Sequence, residues 1–178
     1  MATIDLIVLG MLKKQSLSAY DMQKMVEYRN ISKWVKISTP SIYKKVIQLE
    51  EKGLITSRTE KDGKMPEKAV YSLTDAGREE FERLMLEISC KPIRIFLDLN
   101  AVIVNLESMT PQRQRECLDN IEHNIHVLKT HLEENIALKE KDPAIPAAGM
   151  AVLQQQFLLV QAIEGWIAEL KKGSTEQG

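Results

Sequence analysis

The sequence predicts a mainly α fold with a small β-wing, and three observations carry that prediction. Aromatic residues make up only 5% of the 178 residues, while Leu, Ile, Met, Glu, Lys and Gln are abundant, a mixture that favours helix over sheet. Apolar residues recur at helical spacing through most of the chain. Only between Leu54 and Leu73 does the period change from 3.6 to 2, on either side of Asp62-Gly63, a strong hairpin signal.

The elements follow in order. Ile4, Ile7, Val8, Met11 and Leu12 lie on one face of a first helix ending near Lys13, and Gly10 within it implies close packing. Ser18 is a capping residue for a second helix that turns Met22, Met25 and Val26 inward and runs to about Asn30. From Ile31 to Ile37 the pattern breaks, and Trp34 there reads as core. Ser38-Thr39-Pro40 opens a third helix and Gly53 stops it. Its Ile42, Val46 and Leu49 face inward, which leaves Ser41, Lys44, Lys45 and Gln48 outward. Leu54 to Glu60 and Lys68 to Leu73 read as strands, and Pro66 between them favours a projecting loop over a tight turn. Thr74 caps a fourth helix with Phe81, Leu84, Met85 and Ile88 inward.

Three helices, a strand, a wing, a second strand and a helix form the order of a winged helix-turn-helix domain, placed here at residues 1–90. A helical dimerisation and effector domain is expected over 91–173, with a frayed tail at 174–178. From Ile93 to Leu106 the chain is apolar on every side, so a helix there needs burial all round. Thr110-Pro111 starts a long helix whose Leu118, Ile121, Ile125, Leu128 and Leu132 repeat at 3 and 4, the narrow stripe of a helix-pairing seam. Asp142-Pro143 and Pro146 form a linker to a last helix from Ala147 to Lys171, lined by Met150, Leu153, Phe157, Val160, Ile163, Ile167 and Leu170. This apolar area exceeds what a small N-terminal domain covers. A second copy of the chain is the expected partner, with Ile93, Phe96 and the Leu118–Leu132 seam at the interface.

Composition excludes several classes. A net charge of -1 leaves no global bias toward nucleic acid or membrane, no apolar run is long enough to span a bilayer, and the start lacks a cleavable leader pattern. Cys90 and Cys117 make neither a disulfide framework nor a zinc site, which fits a reducing, cytoplasmic setting. His123, His126 and His131 near Cys117 lack a metal-binding pattern, and no nucleophile elbow or phosphate loop is present. No enzyme activity, metal or cofactor is therefore expected. Charge is nevertheless uneven, because Lys33, Lys36, Lys44, Lys45, Lys52, Arg58, Lys61, Lys64 and Lys68 outnumber the acids between them. Local positive charge thus falls on the third helix and the wing, the elements that a winged helix presents to double-stranded DNA.

The ordered pieces Ala19-Tyr20-Asp21-Met22, Ile42-Tyr43, Leu49-Glu50-Glu51-Lys52-Gly53-Leu54-Ile55 and Tyr71-Ser72-Leu73-Thr74-Asp75-Ala76-Gly77-Arg78 resemble the DNA-binding domain of the PadR family of bacterial transcriptional regulators. Ala19 stands where the family usually has Gly, Lys44 where Pro is common, and Pro66-Glu67-Lys68 is a less basic wing end. The tail is similar in length to the larger-tailed branch, which includes phenolic-acid-responsive repressors and virulence activators. The resemblance implies a homodimeric repressor on an inverted-repeat operator, modulated by a small hydrophobic or phenolic effector. It implies that Ser38, Thr39, Ser41, Tyr43, Lys44, Lys45 and Gln48 lie toward the major groove or its flanking phosphates. Lys61 and Lys64 flank the wing turn and suit phosphate. Phe157 and Trp166 on the last helix are candidates for lining an effector pocket. The alternative function is a helical protein-interaction module whose winged domain contacts another protein.

Overall fold

The computed structural model describes residues 2–35, 40–61, 67–143 and 145–175. The chain divides into two compact units, Met1–Ile93 and Arg94–Gly178.

The first unit opens with α1 (Ala2–Leu12) and the two-residue strand β1 (Leu17–Ser18), which leads directly into α2 (Ala19–Tyr28). A capping box fixes the start of α2. The Asp21 backbone N–H donates to Ser18 Oγ at 3.1 Å, and the Ser18 hydroxyl donates to Asp21 Oδ2 at 2.7 Å. That short bond holds the Asp21 carboxyl below its ordinary range. Asn30, in the left-handed region at φ 52°, turns the chain into a single 3-10 turn at Ile31–Lys33. Only Ile31 of that turn is buried; Trp34 lies at the surface, against the expectation of a core residue, because the break in periodicity carried no facing information.

Helix α3 (Pro40–Glu51) ends at Gly53, whose φ of 70° is the left-handed conformation that stops a helix without penalty to glycine. Strands β2 (Ile55–Glu60) and β3 (Lys68–Leu73) then pair antiparallel from Ile55↔Leu73 to Glu60↔Lys68. β1 adds to the other edge of β3, Leu17 opposite Tyr71, so the sheet order is β1-β3-β2. This third strand was missed in the sequence, since two residues are too few to show alternation.

Thr74 caps α4 (Asp75–Ser89) by accepting the Gly77 N–H at 3.1 Å, and its hydroxyl donates to the Gly53 carbonyl at 2.8 Å. Gly77 is needed there: a Cβ would stand 2.0 Å from the Leu54 carbonyl oxygen. Gly10 likewise lets α1 approach α4, with a Cβ only 3.2 Å from the Phe81 ring. The core is formed by Val8, Leu9, Leu12, Met22, Val26, Ile42, Val46, Leu49, Ile55 and Leu84. Met85, read as inward, is exposed, because Leu84 and the half-buried Phe81 and Ile88 already complete the inner stripe.

The second unit departs most from expectation. Instead of one helix from Ile93 to Leu106, residues 92–97 carry no regular structure and only α5 (Leu99–Ile103) and a 3-10 turn at Leu106–Ser108 form. Ile93 is 92% and Phe96 82% exposed, and Val104 is exposed as well. Two causes act together. β-Branched residues are weak helix formers, and an all-round apolar pattern selects no face for a single chain to bury.

Helix α6 (Pro111–Lys139) packs on α7 (Ala147–Thr175). Leu118, Ile125 and Leu132 of α6 join Leu153, Val160 and Ile167 of α7 in one buried cluster, each set spaced by seven. The predicted pairing seam therefore exists, but its partner is the next helix of the same chain. Ion pairs from Lys129 to Glu164 and from Lys171 to Asp119 and Glu122 join the two helices in antiparallel register. Helix α7 continues through Thr175, beyond the expected end at Lys171 and into the predicted frayed tail.

Candidate nucleic-acid interface

Helix α3 is amphipathic, and its two faces define the site. Ile42, Val46 and Leu49 are fully buried and pack beneath α1 and α2. On the opposite side Tyr43, Lys44 and Ile47 are exposed and Gln48 is half-buried. Tyr43 and Ile47 are four residues apart in one row, and Lys44 and Gln48 form the neighbouring row. Ser41 is half-buried at the helix start.

One expected outward residue points the other way. Lys45 is only 7% exposed, and its Nζ lies 2.7 Å from Asp5 Oδ1 of α1. Inward spacing at 42, 46 and 49 leaves position 45 at the edge of the buried face, and the acid on α1 draws the ammonium in rather than out. Lys45 therefore faces α1 and not the outward side of α3. Ile47 was not singled out in the sequence, yet the interval of four from Tyr43 would have found it.

Helix α3 is tied to the wing. Glu50 Oε1 accepts the Ser57 N–H of β2 at 2.9 Å, and the Leu54 N–H donates to the Leu49 carbonyl at 3.0 Å. Behind the sheet, burial first and the nearby Glu50 carboxylate second push the Tyr71 hydroxyl pKa up, so it stays protonated. The Glu50–Ser57 bond joins α3 to β2.

Several wing cations already have acidic neighbours. Arg58 is paired with Glu60 at 2.6 Å, Lys61 lies 4.0 Å from Glu67, and Lys68 lies 3.8 Å from Asp21. All are surface pairs, worth little in water and readily exchanged for phosphate. Lys61 is exposed at the end of β2. Lys44 has no ion-pair partner among the described residues. Ser38, Thr39 and Lys64 lie outside the described residues. The dominant chemistry of the face is hydrogen bonding and positive charge displayed on a convex helix, a shape that fits the major groove.

The tail residues expected at an interface are divided by the fold. Leu118, Ile125 and Leu132 are buried within the α6–α7 pair and Ile121 is half-buried against it. Their apolar seam is filled within the chain by α7. Leu128, Ile93 and Phe96 remain exposed. Phe157 packs partly buried on the α6–α7 cluster, whereas Trp166 is 40% exposed. Among the described residues no group of three His, Cys, Asp or Glu could hold a metal ion, and no helix is long and apolar enough to cross a membrane.

Comparison with known proteins places this surface in context. Residues 8–83 match the model of the transcriptional regulator PadR-like family. The negative transcriptional regulator PadR of Bacillus subtilis (strain 168) is 32% identical over 80 residues, which is 45% of this chain and 43% of that protein. The chain thus aligns with less than half the length of that relative. Among solved structures, Bacillus subtilis PadR in complex with operator DNA has a TM-score of 0.83 at 19% identity, covering 97% of this chain and 99% of the other. The same protein in complex with p-coumaric acid gives 0.78 at 18%, covering 97% and 95%. The Vibrio cholerae virulence activator AphA gives 0.71 at 20%, covering 98% and 99%. At these identities the structural likeness is one of fold.

Proposed function

We propose that this chain, whose residues 8–83 form a PadR-like family domain, is a homodimeric, sequence-specific DNA-binding regulator that represses transcription in the cytoplasm and is released by a small phenolic or hydrophobic effector. The observation that carries the reading is the polar outward face of α3, with Tyr43, Lys44 and Gln48 displayed on a helix whose other face is locked into the core. Gln48 suits an adenine edge, Lys44 a phosphate or guanine, and Tyr43 a phosphate through its hydroxyl. Ser38, Thr39, Ser41, Lys61 and Lys64 belong to the same proposed footprint, as phosphate contacts around the helix start and the wing.

Dimerisation is supported by apolar surface that the single chain leaves wet. Ile93, Phe96 and Val104 are exposed, and on the outer side of α7 Leu158 and Trp166 frame Ala162 at intervals of four. We assign the interface to these residues and Leu128. Two subunits related by a two-fold axis read an inverted repeat with half-sites one or two helical turns apart.

An effector site is supported within the first unit. A hollow of about 390 Å³ is lined by Leu6, Ile7, Met11, Met25 and Ile31, with Lys14 and Arg29 also on its wall. An aromatic carboxylate has the matching chemistry, an apolar ring for the floor and an anion for the two cations. Phe157 and Trp166 fit this role less well, since Phe157 serves the α6–α7 core.

The test is to sequence the DNA that purified protein retains from its own genome. An inverted repeat bound in a salt-dependent manner is the expected result. Retention of no DNA, together with capture of a discrete protein, would replace this reading with the interaction-module one.

A further inference from the structure

We propose that Ile47 reads sequence directly, by packing on the C5-methyl group of a thymine in the major groove. This rests on the reading of α3 as the recognition helix and deepens it. Ile47 is 54% exposed, whereas the other aliphatic residues of α3, Ile42, Val46 and Leu49, are buried. It lies in the row of Tyr43 and beside Lys44 and Gln48, so it sits inside the face that meets DNA and not at its margin.

Among the described residues, Ile47 belongs neither to the buried core cluster nor to the residues packed against it. A β-branched residue is a weaker helix former than the Lys44 and Gln48 beside it. Its side chain is left about half in water, so much of its apolar surface gains no burial. In the major groove, by contrast, the thymine methyl is the apolar feature that base edges present, and an aliphatic side chain has no hydrogen bond to offer guanine, cytosine or adenine. Ile47 is also stiff about χ1, so little rotamer freedom is lost on contact. With Gln48 suited to adenine on the next row, the central part of each half-site is expected to be A·T-rich.

The test is a double-mutant cycle that removes the thymine methyl from one side of the contact and the Ile47 side chain beyond Cβ from the other. Each thymine of the selected operator is replaced in turn by deoxyuridine, which lacks only the C5-methyl, and affinity is measured for wild type and for Ile47→Ala. At one thymine per half-site, wild type should weaken about fourfold, the fold-change that corresponds to about 0.8 kcal/mol for one buried methyl. Ile47→Ala should show no loss at that same position and an unchanged slope of affinity against salt. Circular dichroism should show the variant folded, since the substitution is at an exposed helical site. If no single replacement discriminates between the two proteins, the proposal is overturned while DNA reading by α3 stands. If wild type shows no preference for its operator over scrambled DNA, the reading of α3 falls and the proposal with it.

Discussion

Lys45 of α3 and Asp5 of α1 form an ion pair at 2.7 Å with both side chains largely withdrawn from solvent. The pair fastens α3 to α1 on the side of α3 opposite its exposed face. Removing one partner leaves an uncompensated charge in a poorly solvated place, so Lys45→Ala or Asp5→Asn should each destabilise the first unit by about 3 kcal/mol. Urea denaturation measures this. The folded fraction of Lys45→Ala should keep the wild-type salt dependence of DNA binding, whereas a phosphate-contacting Lys45 would give a slope smaller by about one.

Much of the first unit was legible in the sequence because its signals are local and redundant. Ser18 with Asp21, Gly53 and Thr74 mark element ends by backbone chemistry that does not depend on the rest of the fold. The errors arose where one sequence signal permits two partners. A basic residue on the edge of an amphipathic helix can face solvent or an acid on another helix, and Lys45 found Asp5. The heptad seam of α6 specifies a helix partner but not which chain supplies it, and α7 follows within reach. The apolar run after Pro92 carries no facing information at all, so neither its broken helix nor its exposure was readable.

Acid should loosen the start of α2 before the rest of the unit. Ser18 lowers the Asp21 pKa in the folded state, so this contribution is present above the unfolded aspartate value and is lost as pH falls through the lower folded one. The protection of α2 amides, relative to their intrinsic exchange at each pH, should therefore fall at the acid end of that window. Asp21→Asn should remove this pH dependence; an unchanged profile in the variant would assign it to other carboxylates.

Interface substitutions should separate the two apolar surfaces of the tail. Leu158→Lys combined with Phe96→Lys should yield a folded monomer in sedimentation, with operator affinity lowered by loss of the second half-site. Ile125→Lys should instead unfold the α6–α7 pair, because Ile125 is in its core. A dimer that survives the first pair of changes would place the interface elsewhere.

The effector assignment is tested by titrating operator complexes with hydroxycinnamic acids. Release is expected for wild type, and Lys14→Gln with Arg29→Gln should require at least tenfold more acid while binding operator as before. Equal sensitivity in both proteins would exclude the hollow beside α1.

The central claim is that the outward face of α3 reads DNA, and the most direct measurement is operator affinity of Lys44→Ala with Gln48→Ala across a salt series. Loss of Gln48 should cost about 1–3 kcal/mol on the operator only, and loss of Lys44 should weaken all sequences and lower the salt slope by about one. The folded double variant should therefore bind operator more weakly than wild type and discriminate it less well from scrambled DNA. Wild-type affinity of that variant at near-physiological salt would contradict the account.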